Sequence, residues 1–244
     1  MTTKICTMSA IAIAVAALSV GTMVSAASSN EIVLLKDARI KIEKNATDND
    51  AGIQVFIDAE PWKSMDIFDP AGRNIFHAET FGRLGKQGGT EFFMESAEPN
   101  FTELSFRKFL QRFPAGRYRI RGEGLAGERY AGHADFTHHV PAGPVLVSPE
   151  ENAVVDPDNT VVQWQSVAAP PGSAIVGYQV LVVKPNSRIR AIPKIVLDVM
   201  MPAWATSMKV PSGFLSPAST YEWEVLAIEK SGNQTLSSGA FRTP

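Results

Sequence analysis

The stretch that most constrains this chain reads Leu215-Ser-Pro217-Ala-Ser-Thr-Tyr221-Glu-Trp223-Glu-Val225-Leu-Ala227. Tyr221, Trp223, Val225 and Ala227 alternate with mostly polar neighbours, the period of a strand with one buried face. Leu215 and Pro217 stand six and four residues ahead of the tyrosine. That spacing places a tight corner before the strand and lets the phenol bond back across it, as in the tyrosine corner of a β-sandwich. A chain carrying this corner needs further short strands to build the two layers, and the flanking sequence has them.

The first 26 residues hold one charge, Lys4, then an apolar run from Ile11 to Val20, then the small-x-small triplet Val24-Ser25-Ala26. This is the pattern of a secretory leader, with an apolar core too short to span a membrane. Export to a periplasm or beyond is expected, with no integral span in the mature protein. The single cysteine, Cys6, lies in the leader. No disulfide and no thiol chemistry are then available to the mature chain, and its stability rests on burial. The remaining length suits two domains of about 100 residues each, a size at which a core is self-sufficient. A formal charge of −2 disfavours nucleic acid and anionic lipid as bulk partners, since both require a positive field.

The first half reads as strands and turns. Ile32-Leu34, Ile40-Ile42 and Ile53-Val55-Ile57 alternate, and Met65-Ile67 leads through Asp69-Pro-Ala-Gly72 into Ile75-Phe76, a hairpin. Gly82 to Gly89 carries four glycines and is expected to be a mobile hairpin loop. It lacks the Lys-Ser/Thr pair of a phosphate-binding loop. Phe106, Phe109, Leu110 and Phe113 fall on one helical face, so a single short helix over 105–112 should pack an aromatic stripe on the sheet. Pro141-Ala-Gly-Pro144 makes a stiff joint, and about seven strands follow it.

The second half resembles a fibronectin type III domain. Trp164, Gly177-Tyr178-x-Val180, Leu215-x-Pro217 with Tyr221, and Ala227 before the Gly232-Asn233 turn carry the resemblance. Adhesive members of that family hold Arg-Gly-Asp in the last hairpin loop; here the loop is Glu229-Lys-Ser-Gly-Asn-Gln234. The whole chain is similar to exported bacterial proteins with one such domain behind a leading domain, through Phe92 to Pro99, Phe109 to Arg121 and Thr137-His138. That resemblance implies architecture and compartment and no catalytic residue. The expectation is an all-β chain of two tandem sandwiches: leader 1–26, an immunoglobulin-like domain with one short helix at 27–141, and a fibronectin type III domain at 144–244.

Candidate sites are sparse. Arg117, Arg119 and Arg121 alternate along one strand face. They either bind a sulfated or phosphorylated glycan or an acidic partner, or pair across strands with Glu91, Glu95, Glu123 or Glu128. Trp62 and Trp204 sit beside prolines, as sugar-stacking platforms or as buried packing. Asp48-x-Asp50-x-Gly52 is half of a calcium loop or an Asx-rich turn; no other cofactor is indicated. His138 and His139, being adjacent, point to opposite faces of a strand and do not share a metal. Asn45, Asn100 and Asn233 begin glycan-acceptor triplets, which stand idle in bacterial export. No nucleophile elbow occurs. A non-catalytic binding or interaction protein of the envelope, engaging a protein or glycan, is therefore expected. A hydrolase of envelope glycans using Glu91, Glu95 or Glu98, or a purely structural spacer, are the competing readings.

Overall fold

The computed structural model describes residues 32–185 and 195–244; the leader expected at 1–26 lies outside the described residues. The chain is all-β. The first half forms β1 (Ile32–Leu34), β2 (Asp37–Asn45), β3 (Asp50–Phe68), β4 (Asn74–Glu79), the single turn α1 (Gly82–Gly85), β5 (Gly89–Glu95), α2 (Phe106–Arg112), β6 (Gly116–Gly124) and β7 (Arg129–Phe136). The second forms β8 (Leu146–Ser148), β9 (Ala153–Val154), β10 (Val161–Trp164), β11 (Ile175–Val183), β12 (Ile195–Pro202), β13 (Ser207–Lys209), β14 (Thr220–Glu229) and β15 (Gln234–Arg242). No helix among the described residues is long and apolar enough to cross a membrane.

The first unit is built on β3, which belongs to both of its layers. The half from Asp50 to Asp58 pairs with β2 on one side and β5 on the other. The half from Ser64 to Phe68 pairs with β4 and β6, and β6 continues to β7 and β1. Register shifts bracket Trp62, where the strand bends from one layer into the other, as irregular pairing bends a strand. The sequence reads these halves as separate strands because Ala59 to Lys63 breaks the alternation. Between the layers lie Ile42, Ile57, Met65, Ile67 and Ile120, each almost fully buried.

Two expectations are corrected here. Trp62 is buried, with 5% of its surface exposed, so it offers no face to a sugar. The glycine-rich stretch is the reason: it forms α1 and the start of β5, laying Gly89 against the indole. A Cβ at that position would stand 2.6 Å from the ring. The expected mobile loop is thus a cover over Trp62, and the unit has two helices in place of one. The helix α2 forms as expected, with the Phe109 ring stacked on Phe106 and tilted against Phe113.

In the second unit β8, β10 and β13 form one sheet, facing β15, β14, β11 and β12 in the other. These seven strands in two layers match the sandwich of about seven strands expected after the joint. Trp164, Tyr178, Tyr221, Trp223 and Phe241 fill the space between. The tyrosine corner is formed, with Ser216 N–H donating to the Tyr221 hydroxyl at 2.7 Å. The first unit has a corner of its own: the Tyr118 hydroxyl donates to the Pro114 carbonyl at 3.0 Å.

The units share a sheet. Gln234–Leu236 of β15 pairs in parallel with Glu43–Asn45 of β2, so β5, β3, β2, β15, β14, β11 and β12 run side by side. The turn before β15 is driven into the joint. The buried Asn233 accepts from Ile42 N–H at 2.8 Å and donates to the carbonyls of Thr137 and His139 at 3.0 and 3.1 Å. Thr235 donates to the Pro141 carbonyl at 2.7 Å, and Gly143 is squeezed between Ala46 and Ser237. The loop that carries adhesion tripeptides in the resembled family is here an internal fastening.

Candidate functional site

The outer face of the shared sheet gathers carboxylates. Alternation along β2 and β5 turns Glu43 and Glu95 outward, and register places them on either side of Gln54 of β3. The Gln54 amide donates to Glu43 Oε2 at 2.9 Å and to Glu95 Oε1 at 2.8 Å. Gln234 of the second unit also donates to Glu43 Oε2, and Lys41 holds that amide in place by donating to its oxygen at 2.9 Å. Glu98, three residues beyond β5, folds back over β3 at Gly52. A Cβ on that glycine would stand 2.8 Å from Glu98 Cγ and 3.1 Å from Oε1, so the absent side chain is the seat of the glutamate.

One oxygen from each of Glu43, Glu95 and Glu98 lies within 4.8 Å of the others. Among the described residues no ion pair reaches any of the three. Amide donors keep Glu43 and Glu95 supplied, although burial pushes the Glu43 carboxyl up. Glu98 has no such donor. Partial burial, then the charges of Glu95, Asp50, Glu43 and Asp48, push its carboxyl up to about 7. Glu224 of β14 is raised too, first by burial and then by Glu43, Glu222 and Asp48. Both units thus contribute to one acidic surface whose members repel one another.

Two sets of sequence candidates meet here, in altered form. Glu95 and Glu98 converge. Glu91 does not: it lies near the start of β5 opposite Asp58, one strand length away. The expected calcium ligands Asp48 and Asp50 stand at the margin of the triad. Asp48 is taken up by an Asx turn, accepting from Asn45 Nδ2 at 2.8 Å while Asn45 Oδ1 receives the amides of Thr47 and Asp48. Asp50 begins β3, its carboxyl raised by burial and by Asp48, and one oxygen is buried without a hydrogen-bond partner. Gly52, expected at the bend, sits inside β3; the positive φ of 59° falls on Asn49. The member of the triad that the sequence did not single out is Glu43, because its nearness to Glu95 depends on strand register.

The arginines do share an exposed face, yet they are differently employed. Arg117 pairs with Asp135 at 2.8 Å, an aspartate rather than the glutamates expected, and Arg121 lies over the Phe68 ring at 5.5 Å. Neither Arg119 nor Arg121 makes an ion pair among the described residues. Trp204 is 84% exposed, standing beyond the end of β12, apart from the acidic triad. His138 donates from Nε2 to the Phe113 carbonyl, 2.8 Å away, and is structural.

No protein-family profile matches the chain, and no curated protein matches it. Among solved structures it is similar to the FN1–FN3 domains of chicken CNTN1, at 13% identity and a TM-score of 0.33, covering 86% of this chain and 64% of that one. It is also similar to an engineered protein at 19% identity and a TM-score of 0.29, over 49% of this chain and 23% of that one. The chain therefore spans less than two thirds of either.

Proposed function

We propose that this protein is an exported, non-catalytic binding module of the cell envelope whose acidic junction takes up a divalent cation. The convergence of Glu43, Glu95 and Glu98 within 4.8 Å carries the reading. Three hard oxygen donors with no ion pair among the described residues suit Ca²⁺, which accepts carboxylates in irregular geometry. A bound cation relieves the repulsion that raises Glu98 and ties β2, β5 and the loop after β5 into one rigid face. The leader pattern supports export. The fibronectin-like sandwich supports a binding role.

The test is a melting experiment at pH 7.5 with Ca²⁺, Mg²⁺ and chelator, on the parent and on Glu98→Gln. Ca²⁺ at a hundred times Kd should stabilise the parent by about 2.7 kcal/mol, and chelator should reverse the gain. Glu98→Gln should lose most of it. A parent protein that melts at the same temperature with Ca²⁺ and with chelator ends the proposal.

One observation favours a second reading. Glycan hydrolysis pairs a carboxyl raised toward neutrality, as a general acid, with a second carboxyl group close by, and Glu98, raised to about 7, lies beside Glu95. Release of reducing ends from envelope glycans, lost in Glu98→Gln, would establish it over the cation site.

A further inference from the structure

The first unit contains a cavity of about 260 Å³ between its layers. It lies inside the sheet whose outer surface carries the acidic triad, Met94 facing inward where Glu95 faces out. Ile40, Ile53, Val55, Ile67, Met94 and Phe136 line it. Its exposed rim is Arg73 and Ile75 from the β3–β4 hairpin and Arg112 from the end of α2.

The polar groups that reach this cavity are already committed. The Tyr118 hydroxyl donates to the Pro114 carbonyl. Ser96 Oγ accepts from Ile53 N–H at 2.9 Å and donates to the Ala97 carbonyl at 3.1 Å. Asp69, with 3% of its side chain exposed, takes Arg73 Nε at 2.7 Å and Nη2 at 2.6 Å, together with the Arg73 backbone amide. Those bonds hold the Asp69 carboxyl below its usual range, so it stays ionised and neutralises Arg73. The interior is left without a free donor or acceptor, so only an apolar group is at home there.

The mouth has the opposite character. With Asp69 and Arg73 cancelling, the remaining charge is Arg112, exposed and without a carboxylate partner among the described residues. An apolar interior below one free guanidinium matches a molecule with an aliphatic tail and a single anionic head. We infer that this cavity binds such an amphiphile, tail between the layers and head on Arg112. A cavity of about 150 Å³ takes a six-carbon benzene ring, and by that scale this one takes a tail of about eight to ten carbons. The guanidinium bonds carboxylate and phosphate alike, so a fatty acid and a lipid phosphate are both within the class.

The test is titration calorimetry of the protein with octanoate, octyl phosphate and octanol. At least one of the anionic probes should bind at one to one, and its preference over the other identifies the head group. Arg112→Gln, at an exposed helix end where folding is undisturbed, should weaken the anionic probe about tenfold, the worth of one charge-assisted bond. Octanol should bind parent and Arg112→Gln equally. Val55→Phe, which fills the cavity, should remove all three probes if it folds. Failure of both anionic probes to bind the parent, or equal binding of the anionic probe by Arg112→Gln, overturns the inference.

Discussion

Replacing Asn233 by alanine should uncouple the two units without touching either core. Its carboxamide oxygen is the acceptor for the amide of Ile42, a residue with none of its surface exposed, and its nitrogen donates to Thr137 and His139 of the first unit. A buried donor left without an acceptor costs about 1–3 kcal/mol. The two carbonyls also lose their donor but lie at the joint, where water reaches them as the units loosen. Together these losses come to about 3 kcal/mol, or a fall in melting temperature of about 6–12 °C for a protein of this size. Calorimetry measures that fall directly. Urea unfolding followed by tryptophan emission tests its origin, since Trp62 reports on the first unit and Trp164 and Trp223 on the second. The parent should melt as one body; Asn233→Ala should melt earlier and in two steps. A shift below about 2 °C, with one transition retained, would refute the claim that this side chain fastens the joint.

Two further outcomes are expected. A carboxyl raised by folding binds its proton more tightly in the native state, so its contribution to stability is full below the unfolded value of 4.5 and is lost as pH rises through about 7. Melting temperature should therefore fall between pH 5 and pH 8 in the parent and fall less steeply in Glu98→Gln; equal slopes would show that Glu98 does not hold the proton. Tyr221→Phe removes the acceptor for Ser216 N–H, and Tyr118→Phe the donor to Pro114. Each should cost about 1–2 kcal/mol in urea midpoint analysis, and a cost confined to Tyr221 would mean the first unit's corner is ornamental.

Much of the architecture was legible in local pattern. Tyr221 with Leu215 and Pro217 announced the corner, Trp164 and Tyr178 the core of the second sandwich, and Phe106 to Phe113 the helix, because each signal lies within a few residues and is written in side-chain period. The site was legible only in fragments. Glu95 and Glu98 were singled out as one chemistry and Asp48 and Asp50 as another, while Glu43 went unremarked.

Local pattern left Trp62 open between a sugar-stacking platform and buried packing, because its neighbouring proline marks an edge while its burial depends on Gly89, 27 residues further along the chain. The Glu229–Gln234 loop has the composition of an exposed hairpin tip, and Gly232 retains the positive φ such a tip requires. Its place in the joint is set by β2, about 190 residues earlier. The sequence by itself determined which residues form strands and which faces they bury, since alternation and turn chemistry act between neighbours. The tertiary structure alone decided which strand lies beside which, and with it the shared sheet, the acidic triad and the cavity. Pairing register couples residues whose separation along the chain leaves no periodic trace, and only the closing of both cores selects it.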